Sequence, residues 1–159
     1  MKLITSTDKY DCVAVSMAML LGVSVAHVKS LVWPDPLEYP FPAPWDTLPK
    51  IPSMEVICEW MLFSHDIALV PFPHNPVCTP DVTRCPPVPV YDEDPDTVFN
   101  RQLELGPGLL EGVRARGSAH MCAWDGQAVF DPRGHIYSLN ITHLHDFVPT
   151  RFWLAKKCN

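Results

Sequence analysis

The sequence predicts an α+β domain in which helices come first and an antiparallel sheet comes last. Three observations carry that expectation. An almost wholly apolar segment, CVAVSMAMLLG, follows Asp11 near the start of the chain. A proline-rich middle separates it from the rest, with most of the 18 prolines falling between Pro34 and Pro95. The last third then offers short apolar runs bounded by turn residues, the signature of strands. With 159 residues, 47% of them hydrophobic and 19% charged, the chain can bury a core without disulfide staples, and residues 1–159 read as one domain.

Taken in order, residues 12–21 are apolar almost all round, which fits a helix buried on every side better than an amphipathic surface helix. Gly22 suits the left-handed residue that stops such a helix. Ser24 can cap a second, short helix in which Val25, Val28, Leu31 and Val32 share a face, and Pro34 ends it. Prolines then recur through residues 33–52 too often for helix or central strand, so that stretch is expected to be a surface crossing or wall. Ser53 restarts helix, with Met54, Ile57 and Met61 spaced for one buried face, and residues 67–72 are strand-like beyond the His65-Asp66 break. Between Pro73 and Pro95 only residues 88–91 resemble a strand. Four strands are expected in the final third, at residues 109–116, 119–124, 127–130 and 151–156.

Charge excludes several partner classes. The balance of 18 Asp and Glu against 12 Lys and Arg gives a net charge of -6, with no basic run able to neutralise a phosphate backbone, so nucleic acid is not an expected partner. Nor is a membrane: the longest apolar run, residues 13–21, is interrupted by Ser16 and falls short of the roughly 18 residues a span requires. The N-terminal MKLITSTDKYD lacks the features of a secretory signal, so a cytoplasmic location and reduced thiols are expected. Cys12, Cys58, Cys78, Cys85, Cys122 and Cys158 are therefore read as core residues, ligands or nucleophiles before they are read as a disulfide framework.

Asp125-Gly126 lies between two apolar runs, a strong signal for a two-residue hairpin loop. If Trp124 pairs with Gln127, His120 stands directly across from Asp131. Facing residues have Cβ atoms about 4.5–5.5 Å apart, close enough for the carboxylate to accept the imidazole Nδ1–H and fix the ring as an oriented general base. Pro132 cannot continue the ladder, so Asp131 is expected at the strand's end. The proton donor for such a base is Cys12, first residue of the buried helix. There the unpaired N–H groups of the helix start and a neighbouring imidazolium favour thiolate over thiol. Asp11 opposes this if its carboxylate points at the sulfur and assists it if the carboxylate caps the helix.

The pieces TDKYDCVAVSMAMLLGVS and GSAHMCAWDGQAVFDP resemble the cysteine and histidine blocks of papain-like cysteine peptidases. Within that group they are most similar to the double-glycine leader peptidases that mature bacteriocins, and to their stand-alone relatives. The resemblance implies a papain-like fold with Cys12 as nucleophile, His120 as base and Asp131 as the residue that orients it, the site lying in the cleft between the helical layer and the sheet. It also implies two departures. Where the family has a glutamine that donates to the oxyanion six residues before the cysteine, this chain has Ser6, and the small residue that usually follows the nucleophile is Val13. The Cys12 N–H, helped by a hydroxyl of Ser6, Thr5 or Thr7, would then form the oxyanion hole.

Blander readings stand beside these. Cys12 opening an apolar helix fits core packing, and His120 opposite Asp131 fits a structural pair. Cys122, on the same strand face as His120, is a rival nucleophile without a helix start, and reads as core. His74, Cys78 and Cys85 offer zinc-type donors, but no C-x-x-C knuckle and no fourth ligand accompany them, so a proline-rich loop is the expected reading. His143 and His145, with His135, could share one side of a strand as metal ligands, though surface histidines are commoner. Trp33, Tyr39 and Trp45 could line a groove or cover the core edge.

The function expected is a cysteine hydrolase acting on a peptide, isopeptide or side-chain amide bond of a protein or peptide substrate through a thioester, with no cofactor. The alternative, motivated by Ser6 and Val13, is a weakly active or inactive papain-fold effector, viral or mobile-element encoded, that binds a host protein.

Overall fold

The structure is a computed structural model, and it describes residues 1–6, 11–32, 52–74, 94–114, 118–138 and 147–158. Helix α1 spans Cys12–Leu21, α2 Val25–Val32 and α3 Met54–His65, followed by strand β1 over Ile67–Pro73. Helix α4 spans Pro95–Leu103, and then come β2 Gly108–Arg114, β3 Ala119–Trp124, β4 Ala128–Asp131, β5 His135–Ser138 and β6 Phe147–Lys157. The six strands form one antiparallel sheet in the order β1-β6-β2-β3-β4-β5. The α+β arrangement is as the sequence predicts.

Local chemistry sets the helix bounds. Gly22 adopts φ 71 and its N–H donates to the Ala18 carbonyl, closing α1 with the left-handed stop that only a residue without Cβ takes without strain. The Ser24 hydroxyl accepts the His27 N–H at the start of α2, and Ser53 does the same for Val56 at the start of α3. Asp66 ends α3 in the left-handed region at φ 54, and β1 begins one residue later.

Every residue from Val13 to Met19 is buried, because α1 packs on the sheet with one side and on α2 and α3 with others. Val13, Ala14, Met17 and Ala18 join Val28, Ile57, Met61, Leu69, Leu109, Met121 and Trp153 in one apolar cluster. Val15 and Met19 meet Ala123 and Phe130 in a second.

The opposite face of the sheet is covered too, which the sequence reading did not include. There Phe99 and Leu103 of α4 pack on Leu110, Cys122, Trp124, Val129, Phe147, Phe152 and Leu154. Helix α4 has start signals that were legible: Asp94 accepts the Thr97 N–H, Pro95 opens the helix and Asp96 lies in its first turn. Strand β5 also went unpredicted. It follows Asp131-Pro132-Arg133-Gly134, a turn with Pro second and Gly fourth in which the Gly134 N–H donates to the Asp131 carbonyl. The expected wall at 33–52 lies outside the described residues apart from Pro52, as does the short strand at 88–91.

Candidate active site

Strand β3 alternates its side chains between the two faces. Met121 and Ala123 turn toward α1, whereas His120, Cys122 and Trp124 turn toward the α4 side. On β4, Phe130 faces α1 and Val129 the other side, so Asp131, two residues on from Val129, shares the face of His120. Nε2 of His120 lies 3.0 Å from Oδ1 of Asp131, and the two side chains are 6% and 1% exposed.

The route to this contact differs from the expected one. Trp124 pairs with Val129 and Ala123 with Phe130, a slip of two residues from the predicted register. The cause is the Asp125 side chain. Its Oδ1 accepts the N–H groups of both Gln127 and Ala128, and its own N–H donates to the Ala128 carbonyl, leaving Gly126-Gln127 as the loop. Because the side-chain period of a strand is two, a slip of two preserves the face. His120 and Asp131 therefore meet diagonally, not directly across, and the far ring nitrogen Nε2 spans the distance in place of the predicted Nδ1.

The sequence reading missed Arg133. Its backbone N–H donates to Asp131 Oδ1 at 2.9 Å, and its guanidinium holds the carboxylate through Nε at 3.2 Å and an NH2 group at 2.9 Å from Oδ2. The signal was present: an Asp two residues before an Arg across a proline turn can accept the backbone N–H and clamp the side chain. Burial by itself would raise the pKa of Asp131, but the bonds from His120 and Arg133 outweigh it and hold the carboxyl well below the usual carboxylate range.

Cys12 lies at the N-terminus of α1, half-buried, and its side chain, like that of the fully buried Cys122, is near enough to the His120 ring to favour its charged form. With Nε2 held by Asp131, Nδ1 is the ring nitrogen left for the sulfurs. Desolvation alone would lower the His120 pKa, yet the bond to Asp131 and the two nearby sulfurs push it up to about 11. Burial raises the Cys122 thiol, and the imidazole contact offsets that only in part. Asp11 takes neither of the two orientations anticipated for it: its side chain makes no cap bond and forms an ion pair with Lys29 of α2.

The site does not lie sandwiched between α1 and the sheet, as the cleft expectation had it. Beyond Ala123 and Phe130, β3 and β4 no longer pair. Cys12 meets the ring at that open end of the sheet, because the ring points to the face away from the helix. Ser16 anchors the helix there, its buried hydroxyl donating to the Met121 carbonyl at 3.0 Å. Ser6 stands at the same corner, with its backbone N–H donating to the Pro132 carbonyl at 2.7 Å. Thr7 lies outside the described residues.

The ring is held on another side by Phe147, whose centroid is 5.6 Å away at an interplanar angle of 83°. A bulge positions that phenyl ring. Glu111 pairs with Arg151 but Gly112 with Pro149, so Thr150 is skipped and the residues before it change face, bringing Phe147 to the His120 side.

Of the other histidines weighed as ligands, His74 is buried against the Phe99 ring with Nε2 3.3 Å from Asp96 Oδ1. His135 is exposed on β5 beside Tyr137. Cys78, Cys85, His143, His145, Trp33, Tyr39 and Trp45 lie outside the described residues. No helix among the described residues is long and apolar enough to cross a membrane. No protein-family model matches the chain, and no curated protein matches it.

Proposed function

We propose that the protein is a papain-like cysteine hydrolase in which Cys12 is the nucleophile, His120 the proton carrier and Asp131 the group that orients it. What supports the reading is one observation: a half-buried sulfur at a helix start stands near an imidazole whose far nitrogen is bound by a buried carboxylate. Of the two cysteines at the ring, Cys12 is the one a substrate can reach, while Cys122 is 1% exposed and its thiol is raised by burial.

Held as imidazolium, the ring starts the cycle as an acid. The Cys12 thiolate attacks an amide carbonyl carbon, forming the C–S bond while the carbonyl electrons move to oxygen, and the Cys12 N–H at the helix start donates to that oxyanion, with Ser6 as the second donor. As the oxyanion collapses, the C–N bond breaks and the leaving amine takes the proton from His120. The neutral ring then accepts a proton from water, whose oxygen attacks the thioester. Release of the acid returns the thiolate and the imidazolium. Asp131 keeps the ring in the one orientation that serves both steps.

The test is selective chemistry at Cys12. Iodoacetamide between pH 4 and 9, with the alkylated cysteine mapped by mass spectrometry, should label Cys12 below about pH 7, and the selectivity should vanish in His120→Ala. A p-nitrophenyl ester should give a burst of nitrophenolate that Cys12→Ala abolishes. Uniform labelling that begins only near pH 8.5, with no burst, removes the reading and leaves a protein that acts by binding.

A further inference from the structure

Asp11 and Asp94 each stand immediately before a helix, yet only one of them caps it. Asp94 is extended, at φ -53 and ψ 128, and its Oδ2 accepts the Thr97 N–H at 3.0 Å. Asp11, at φ -90 and ψ 1, is out of the extended conformation that aims a side chain back at the helix start, and it makes no cap bond. Its carboxylate is paired instead with the Lys29 ammonium, in the last turn of α2. We propose that Lys29 is a positioning residue for the candidate active site: it holds the Asp11 carboxylate off the start of α1, where the next residue is Cys12. The proposal rests on the hydrolase reading for what Cys12 does.

The first bond of α1 runs from the Val15 N–H to the Asp11 carbonyl at 2.9 Å, so the N–H groups of Cys12, Val13 and Ala14 have no acceptor within the helix. An aspartate released at this position takes the Val13 or the Ala14 N–H. It then sets a full negative charge beside both anions of the cycle, the Cys12 thiolate and the oxyanion that the Cys12 N–H receives. Like charges within about 4–6 Å disfavour each other, and the carboxylate also offsets the partial positive charge that the helix start lends to both anions. Ion-paired with Lys29, the same carboxylate presents almost no net charge. The sheet side of the site adds no unpaired negative charge among the described residues: His120 and Arg133 hold the Asp131 carboxylate, and burial raises the Cys122 thiol. Asp11 is therefore the acid whose placement sets the charge next to Cys12. The Lys29 and Asp11 side chains are 38% and 16% exposed, so the pair contributes little to stability and its loss is read in reactivity.

The test uses the full chain at low ionic strength. Lys29→Met should slow the p-nitrophenyl ester burst by about tenfold, and iodoacetamide should need a higher pH than in wild type to label Cys12. Lys29→Arg keeps the cation and should restore both readouts. Lys29→Met combined with Asp11→Ala should recover them too, because no carboxylate is left to release, and added salt should shrink the Lys29→Met deficit. The urea midpoint of Lys29→Met should match wild type, which separates the effect from unfolding. A burst and a labelling profile unchanged in Lys29→Met overturn the proposal, as does a deficit that persists in the Asp11→Ala background. The hydrolase reading fails separately. A wild type that gives a burst equal to that of Lys29→Met retains the reading and sinks this proposal. A wild type without a burst sinks the reading, and the labelling comparison then decides by itself whether Lys29 controls the charge at Cys12.

Discussion

Gly112 stands directly opposite His120 on the neighbouring strand, and the space above its Cα is occupied by the Phe147 ring that meets the imidazole edge-on. A Cβ at Gly112 would lie 2.3 Å from the Val148 carbonyl oxygen and 2.5 Å from the Phe147 ring. The glycine is therefore required by a close approach of backbone and phenyl ring.

Gly112→Ala must push Phe147 into the imidazole or part β2 from β6. We expect a stability loss of about 1–3 kcal/mol in urea unfolding, the usual cost of overpacking. Because the displaced ring lies against His120, alkylation of Cys12 should slow as well. An alanine variant as stable and as reactive as wild type contradicts the packing described.

The His120–Asp131 pair makes stability depend on pH in both directions. His120 is raised from 6.5 to about 11, so its contribution is full below about pH 6.5 and is lost as pH rises toward 11. Asp131 is lowered from 3.8, so its contribution is full above about pH 4 and fades as pH falls below that. Both shifts describe one interaction and are counted once. The urea midpoint should form a plateau between about pH 4 and 6.5 and fall on either side, and Asp131→Asn should flatten both flanks. Proton NMR offers a direct check, since the His120 Cε1 proton should not titrate between pH 5 and 8.

Asp131→Asn preserves shape and removes charge. The Arg133 guanidinium and the imidazolium then lose their common partner, at a cost of about 3–5 kcal/mol for breaking a buried pair. A ring that gives up its proton more readily stabilises the Cys12 thiolate less. We expect the alkylation rate of Cys12 at pH 6 to drop by at least about tenfold.

Ser16→Ala tests how the helix is held. The hydroxyl is fully buried and donates to Met121, one residue from His120. Its loss leaves a buried carbonyl short of a partner, about 1–3 kcal/mol. Cys12 lies one helical turn before Ser16, so the variant should also lower Cys12 reactivity relative to a core change of similar cost, such as Ile57→Val.

Much of the fold could be read directly. Gly22, Ser24 and Ser53 announce helix ends through their own conformational and hydrogen-bonding chemistry, and Ile57 and Met61 announce the buried face of α3 by spacing. Strands β2 and β3 follow from apolar runs. Helix α4 and strand β5 were equally announced, by Asp94-Pro95-Asp96 and by Asp131-Pro132-Arg133-Gly134, but each is short and sits beside proline, which masks the periodicity of a brief element.

At the site, residue types and face parity were available from the chain alone. His120, Cys122 and Asp131 share a sheet face because strand side chains alternate, whatever the register within steps of two. Register itself was decided by one carboxylate, Asp125, which turns inward on its own loop and moves the pairing by two residues. Which imidazole nitrogen meets the acid, and the Thr150 bulge that swings Phe147 under the ring, depend on distances between separate segments of the chain. Local propensity carries no information about such distances. They emerge only when the two faces of the sheet are packed at once, and that packing brings the Cys12 sulfur to the open end of β3 and β4.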